Sequence, residues 1–499
     1  MRVAVVDMGS NTFRLLVTEA RPDGALFTRH IERHMLHLGG VVGEHGEITP
    51  HSFRAAIDAT RSMAGFVERF GVDRVFAVAT AALRDASNGP EVADHLGGIL
   101  GVPVRVLDGA EEARLSFLGV HAAVTFERPS HAVVDLGGGS LELALGTGPT
   151  MDTGHSWPIG VSRLRALTGR PERIDGETEA RLRGLVGEAL AGTDPLPSGT
   201  QAVLIGGTVR AIARLVADRT RPWVPRSLNQ FRLTRAEIDE ACELLAPRTA
   251  SERIDDLSVD PDRAEALGAA AVILSETLER LGMEEAALSD WGLRTGVVLD
   301  GLGITPPRGP EVRMRSVTAL REEFLGDDPH PAHVADLAHQ LMEQTAPLHG
   351  LTSNERELVE VAAHLHDIGR ALSLSGHHRH SAYLVEHADL RGISPDDLGV
   401  VLSLVRFHRG GPPKVSYPPF RAMAPGARAR VRVMTAMLQL ADALDRPRDG
   451  SVQQVVAADT GDTLLFRTPG VDLRPHLTSM AGRLAYAGGV LGRRVEVAG

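Results

Sequence analysis

The sequence predicts an α/β protein: two related α/β domains with a cleft between them, then an all-α domain, then a small C-terminal α/β appendage. Three observations carry that expectation. Short apolar, largely β-branched runs alternate with helical patterns from Met1 to about residue 302. Two of those runs end in the same kind of turn, Val-Ala-Val-Val-Asp-Met-Gly-Ser-Asn-Thr at Val3–Thr12 and Ala-Val-Val-Asp-Leu-Gly-Gly-Gly-Ser at Ala132–Ser140. From about Val312 the pattern turns helical, and histidines concentrate between His330 and His408. The expected boundaries are 1–125, 126–302, 303–450 and 451–499.

With Asp7 set over Asp135 the two runs stay in step: strand, aspartate, apolar residue, small-residue turn, second strand. That reads as an internal duplication. Each strand delivers a carboxylate to the sheet edge. The turns that follow, Gly9-Ser10-Asn11-Thr12 and Gly137-Gly138-Gly139-Ser140, let several backbone N–H groups converge on an anion such as phosphate. One such turn reads equally as a hairpin with a polar cap; two facing each other point to a phosphate cleft. Arg14 falls opposite Glu142 in this alignment, which leaves the carboxylate chemistry to the second copy.

Taken in order, the first domain continues with a helix over 52–70, a strand over 74–80, and a strand end running into a turn at 79–89 that carries Arg84 toward the sheet edge. A strand over 104–107 leads into Asp108-Gly109-Ala110-Glu111-Glu112. Asp108 with Glu111 has the form of a capping box, and the helix dipole favours acidic residues in a first turn. That accounts for one glutamate. The other, Glu112, is a candidate general base.

The second domain starts at Ser130. Beyond its turn the alternating strand Leu141–Leu145 sets Glu142 on the face opposite its apolar neighbours. Asp135 and Glu142 then share the cleft, where paired carboxylates hold a cation or position water; a glutamate on an exposed strand is the other reading. A third apolar strand ends in Gly206-Gly207-Thr208 before a helix over 209–217, giving a further helix N-terminus suited to an anion. The turn containing Asp290-Trp291-Gly292-Leu293-Arg294 precedes the helix expected to close this domain.

Gly301–Pro310 is rich in glycine and proline and reads as a linker. Beyond it, helical spacing over 333–342, 357–368 and 431–444 carries His333, His366-Asp367 and Asp442. Imidazole and carboxylate donors in that combination suit a divalent metal such as Mn, Fe, Mg or Zn. Any one of these histidines alone reads as an ordinary core or surface residue. Gly376–His380 and Arg406–Arg409 are ionisable clusters fit to line a groove, and from Ser451 strand-like runs flank a helical stretch.

Composition limits the function classes. A formal net charge of −11 argues against nucleic-acid binding driven by overall charge, so a polyanionic ligand must meet local positive potential. Lys414 is the only lysine among 53 basic residues; arginine suits phosphate oxygens, though a compositional bias of the source accounts for most of that preference. The single cysteine, Cys242, excludes an internal disulfide framework and a cysteine metal cluster. No apolar run reaches membrane-spanning length, and a chain that opens on a core strand leaves no room for a signal peptide. A cytoplasmic location with no membrane or nucleic-acid partner is the expectation.

Six motifs in order, Asp7-Met8-Gly9-Ser10-Asn11-Thr12, Ala82-Leu83-Arg84-Asp85, Glu111-Glu112-Ala113-Arg114, Asp135 to Ser140, Gly206-Gly207-Thr208 and Asp290 to Arg294, resemble the exopolyphosphatase and guanosine pentaphosphate phosphohydrolase family. That family lies within the superfamily of acetate kinase, sugar kinases, Hsp70 and actin, and the resemblance spans most of the chain. It implies two ribonuclease-H-like domains whose cleft binds Mg2+ and the terminal phosphates of linear polyphosphate. On this resemblance Glu112 activates water, Asp7, Asp135 and Glu142 hold Mg2+, and Gly9, Ser10, Asn11, Thr12, Arg84, Gly137, Gly138, Gly139, Ser140, Gly206, Gly207, Thr208 and Arg294 contact phosphate.

The C-terminal half resembles the HD-type domain of the family's long members. This implies a second divalent metal at His333, His366, Asp367 and Asp442, and a homodimer. Family members commonly carry Glu where this chain has Thr295, so no role of that glutamate transfers. The expected activity is exopolyphosphatase, and guanosine pentaphosphate 5'-phosphohydrolase is the alternative at the same site. A further alternative is a sensor in which polyphosphate or nucleotide binding acts through the HD-type domain. A kinase would need an adenine site after Gly206-Gly207, of which Arg210 and Ile212 give no sign.

Overall fold

Strand β1 (Arg2–Met8) is apolar on both sides, and both sides are buried. In the computed structural model, which describes residues 1–498, Ala4, Val6 and Met8 face one layer of core while Val3 and Val5 face another, as alternation along a strand requires. β1 pairs antiparallel with β2 (Thr12–Ala20), and β2 with β3 (Leu26–Met35). On its other edge β1 pairs parallel with β4 (Arg74–Ala79), and β4 with β5 (Val104–Val106), giving the order β3-β2-β1-β4-β5. The stretch 79–89, expected as a turn, contains a short helix, Ala81–Asp85, which carries Arg84.

A second sheet repeats the plan. β6 (Ser130–Leu136), β7 (Leu141–Thr147) and β8 (Thr150–Trp157) run antiparallel in turn, β9 (Gln201–Ile205) lies parallel to β6, and β11 (Glu285–Leu288) lies parallel to β9. β10 (Arg232–Thr234) adds antiparallel at the edge. The order β10-β11-β9-β6-β7-β8, taken from its far end, repeats that of the first sheet with one strand added. These are two ribonuclease-H-like domains. The duplication extends to single bonds: Gly9 N–H donates to the Thr12 carbonyl at 3.2 Å, and Gly137 N–H to the Ser140 carbonyl at 3.0 Å. Register places Asp7 opposite Arg14 and Asp135 opposite Glu142, as the alignment of the two copies requires.

The helix Gly109–His121 serves both sheets. Its Ala113, Phe117 and Val120 pack with Val133, Ala144 and Val203 of the second sheet, while Leu115 joins Val3, Val5 and Val78 of the first. Beside it runs the helix Leu293–Leu302, whose Val297, Val298 and Leu299 also belong to the first sheet's core. The helix expected to close the second domain therefore packs on the first. Glycines permit it: a β-carbon on Gly296 would lie 1.8 Å from the Leu115 carbonyl oxygen, and one on Gly119 2.0 Å from that of Gly292. The two helices touch backbone to backbone.

The chain divides into two units, Met1–Thr220 with Ser227–Val312, and Arg221–Arg226 with the residues from Arg313 onward. The second is mainly helical, with Leu337, Leu341, Leu358, Val361, Val405, Met434 and Leu438 at its centre. Its last part forms a three-stranded sheet of β12 (Val456–Asp459), β13 (Thr463–Arg467) and β14 (Arg494–Ala498) with the helix Leu477–Leu491. The separate appendage expected from residue 451 has no core of its own, because Leu464, Phe466, Met480, Leu491 and Val495 continue the core of the helices. Amphipathic periodicity reveals a face to be buried but not what buries it. No helix among the described residues is long and apolar enough to cross a membrane.

Candidate active site

Glu112 lies in the first turn of the helix Gly109–His121, whose N-cap Asp108 accepts from the Glu111 N–H at 2.8 Å. The two glutamates part ways there. Glu111 accepts from Arg114 Nε at 2.8 Å at the partly exposed edge, whereas Glu112 turns inward and is 7% exposed. Arg84 donates to Glu112 Oε2 at 3.1 Å and to the Leu107 carbonyl at 3.1 Å. One helical turn on, Ser116 Oγ donates to Asp135 Oδ2 at 3.3 Å, and from β8 Ser156 Oγ donates to Glu142 Oε1 at 2.8 Å. Glu112, Asp135 and Glu142 thus form one acidic wall.

Their electrostatics show the crowding. Burial first, then Glu142 and Asp135, lift Glu112 well above the usual carboxylate range against the pull of Arg84. Burial and Asp135 carry Glu142 to about 7. Burial carries Asp135 to about 6, opposed by the Ser116 hydroxyl and Arg14. Desolvated carboxylates that repel one another are relieved by a cation, and all-oxygen donors of this kind fit Mg2+. Asp7 is also raised by burial, but the charges that pull it down are Arg14 and Arg294, which puts it toward the basic wall.

That basic wall is built of arginines, and two of them, Arg14 and Arg210, also act on Asp135. Arg14 of β2, Arg210 in the helix Gly207–Thr220, Arg263 in the helix Pro261–Arg280 and Arg294 act on one another. Burial and the neighbouring guanidinium groups bring Arg263 and Arg294 down to about 10. Arg294 Nη1 is buried without a hydrogen-bond partner, and Arg263 lies over Gly207, where a β-carbon would stand 2.5 Å from Arg263 Nη2. A polyanion would complete such a wall. Gly206 holds the adjoining turn with φ +117°, and a β-carbon there would lie 2.7 Å from the Leu136 carbonyl oxygen; both demands require glycine.

The duplicated turns meet tip to tip. A β-carbon on Gly138 would lie 2.8 Å from the Asn11 side chain and one on Gly139 2.5 Å from Ser10 Oγ, while Ser162 Oγ donates to Asn11 Oδ1 at 2.7 Å. The glycines expected to admit a phosphate first make room for the facing loop. Ser140 is buried beside Glu142 and lowers its proton affinity, and Thr208 follows the Gly206 turn half-buried. The Thr12 hydroxyl donates to Met35 Sδ at 3.2 Å, inside the first domain, so only its backbone faces the turn. Thr295 is buried on its helix. Arg14, Arg210 and Arg263 lay outside the expected contact set. Arg14 had a signal in its position opposite Glu142; Arg263, in Asp260-Pro261-Asp262-Arg263 at a helix start, had none.

In the second unit His366, Asp367 and Asp442 come together, but His330 stands where His333 was expected. His330 Nε2 and His366 Nε2 each lie 3.6 Å from Asp442 Oδ1. The helix runs His330–Gln344, starting one turn earlier than the apolar spacing suggests, with Pro331 in its first turn. His333 lies a turn further along and is not among the converging donors.

The acidic wall makes a pH-dependent prediction. A carboxylate that binds protons more tightly when folded loses folding stability as pH rises from its unfolded value of about 4.3 through its folded value, about 7 for Glu142. Glu142→Gln is therefore expected to raise folding stability at pH 8 in magnesium-free buffer by up to about 3 kcal/mol, seen as a higher Tm, and to do little at pH 5. Added Mg2+ should shrink the gain. Thermal melts at both pH values check this, and an equal shift at each would reject it.

Residues 19–304 match the Ppx/GppA phosphatase family, and residues 312–464 match Ppx/GppA phosphatase domain III. A crystal structure of the Aquifex aeolicus Ppx/GppA family member is 29% identical with a TM-score of 0.53, covering 60% of this chain and 97% of that one. An exopolyphosphatase from Cytophaga hutchinsonii is 26% identical with a TM-score of 0.55, covering 61% of this chain and 98% of that one.

Proposed function

The chain belongs to the Ppx/GppA phosphatase family, and on that footing we propose that its cleft releases the terminal phosphate of inorganic polyphosphate with Mg2+, Glu112 activating the water. The observation that supports this reading most is the division of one cleft into an acidic wall and an arginine wall. Phosphoanhydride hydrolysis needs a positioned polyanion, neutralised phosphoryl charge and a group that orients water. Each requirement has residues here.

Arg14, Arg210, Arg263 and Arg294 hold chain phosphates, helped by the helix N-terminus at Gly207 and the N–H groups of the duplicated turns. Arg84, paired with Glu112, sets the terminal phosphate beside that carboxylate. As the water oxygen bonds to the terminal phosphorus, Glu112 takes a water proton, and the bridging oxygen leaves on the shortened chain. Asp135 and Glu142 would hold Mg2+, which supplies charge neutralisation at the phosphoryl oxygens. Ser116 and Ser156 fix the orientation of those two carboxylates.

The test is phosphate release by the purified chain from long-chain polyphosphate and from guanosine pentaphosphate, side by side, with Mg2+ and with a chelator. We expect the larger kcat/KM for polyphosphate and loss of release without Mg2+. A larger value for the nucleotide would move the substrate to guanosine pentaphosphate at the same site.

A further inference from the structure

Arg84 belongs to the first domain and the turn Gly137–Ser140 to the second, yet both have to face one terminal phosphate in the hydrolysis proposed above. One side chain reaches both. Arg163, in the helix Val161–Leu167 of the second domain, donates from Nε to the Gly139 carbonyl at 3.2 Å, while its Nη2 pairs with Asp85 Oδ2 in the first. Asp85 Oδ1 in turn stands 3.6 Å from Arg84 Nε. A continuous string of contacts thus runs Glu112–Arg84–Asp85–Arg163–Gly139.

At its first-domain end the string fixes a guanidinium. Arg84 Nη1 is committed to Glu112 Oε2 and the Leu107 carbonyl, and Nε faces Asp85, so among the described residues Nη2 alone is left for a phosphate oxygen. At its other end the string orients a loop. The Gly137 carbonyl accepts from the Val161 N–H at 3.0 Å, that of Gly138 from the Ser162 and Arg163 N–H groups at 2.9 and 3.2 Å, and that of Gly139 from Arg163 Nε. In a trans peptide the following N–H points away from the carbonyl. The N–H groups of Gly138, Gly139 and Ser140 are therefore turned from that helix, with no hydrogen-bond partner among the described residues. Three successive free donors make an anion cradle. Backbone at the helix start holds the first two carbonyls; only the Arg163 side chain holds the third.

We propose that Arg163 is a positioning residue for this reaction. The role rests on the reading of the cleft as a phosphohydrolase site: Arg163 sets the Gly139–Ser140 peptide and, through Asp85, the Arg84 guanidinium in one register for the terminal phosphate. It acts through those groups and not on the reacting atoms.

The test measures phosphate release from long-chain polyphosphate with Mg2+, and Tm, for the full chain and its variants. Arg163→Gln is expected to lower kcat about a hundredfold, the cost of a misplacement of about 1 Å, and to move KM only a few-fold. Arg163 and Asp85 are 28% and 33% exposed, so Tm should hold. Asp85→Asn should cost less, and the double variant no more than about twofold beyond Arg163→Gln, because both cut one string. Arg163→Lys keeps the pair with Asp85 and should recover about tenfold of the lost kcat. Arg170→Gln removes another ion pair between the same domains, Arg170 Nη2 to Glu44 Oε1 at 2.5 Å, and should stay within about twofold of the parent. Losses that add in the double variant, an equal loss in Arg170→Gln, or no gain of lysine over glutamine each overturn the proposal. The lysine variant is read by the same comparison, so a poorly folded glutamine variant does not spare it. Full activity in Arg163→Gln overturns the positioning role alone, whereas no release even by the parent overturns the reading of the cleft and the role with it.

Discussion

Glu112→Gln is expected to lower kcat for phosphate release by about a thousandfold while moving KM by only a few-fold. The substitution is nearly isosteric, and the amide oxygen still accepts from Arg84, which now reaches Glu112 Oε2 at 3.1 Å. What it removes is the capacity to take a proton. It also removes a carboxyl whose ionisation is opposed by burial first, then by Glu142 and Asp135, so the variant should melt no lower than the parent at neutral pH. Lost turnover with an unlowered Tm separates a chemical role from a structural one. Near-normal turnover would transfer the base role to another group.

Gly296→Ala is expected to destabilise the first unit by about 3 kcal/mol or more, at the upper end of overpacking costs. Its β-carbon would meet the Leu115 carbonyl oxygen at 1.8 Å and the Leu115 carbonyl carbon at 2.6 Å, both backbone atoms that no rotamer change can move. The two touching helices would have to part, and both sheets lean on them. Gly98→Ala is the internal contrast. Gly98 lies within the helix Gly89–Leu100 with nothing near its missing β-carbon, so alanine should stabilise by roughly 0.5–1 kcal/mol through helix propensity. Urea unfolding of the two variants reads both effects, and a small loss at Gly296 would mean that the helices repack readily.

Much of this was legible in the chain because it is local. The duplicated turns, the capping arrangement at Asp108 and the alternation that buries Glu142 each depend on residues a few places apart, where period and turn chemistry speak directly. What was not legible depends on distant pairs. Gly138 and Gly139 look like a phosphate loop, yet their nearest demand for space comes from Ser10 and Asn11, more than a hundred residues away. Arg263 comes to the cleft only because its helix starts beside Gly207. His330 rather than His333 joins Asp442 because the helix begins a turn early, a shift that apolar periodicity does not register since residues three apart share a face. The terminal strands were visible as strands, but nothing local says that they finish another element's core.

The helix that carries Glu112 is gripped by both sheets over its length, whereas the duplicated turns meet at their tips, Ser10 against Gly139 and Asn11 against Gly138, beside the ion pairs Arg163–Asp85 and Arg33–Asp262. In mechanical terms the cleft is a jaw. Its fulcrum is the pair of glycine-tight helices, its teeth are the two loops, and any rotation between the domains displaces the teeth most and the Glu112 end of the bridging helix less. Apolar packing thus closes the fulcrum and polar pairs close the mouth, so salt loosens the mouth and leaves the fulcrum.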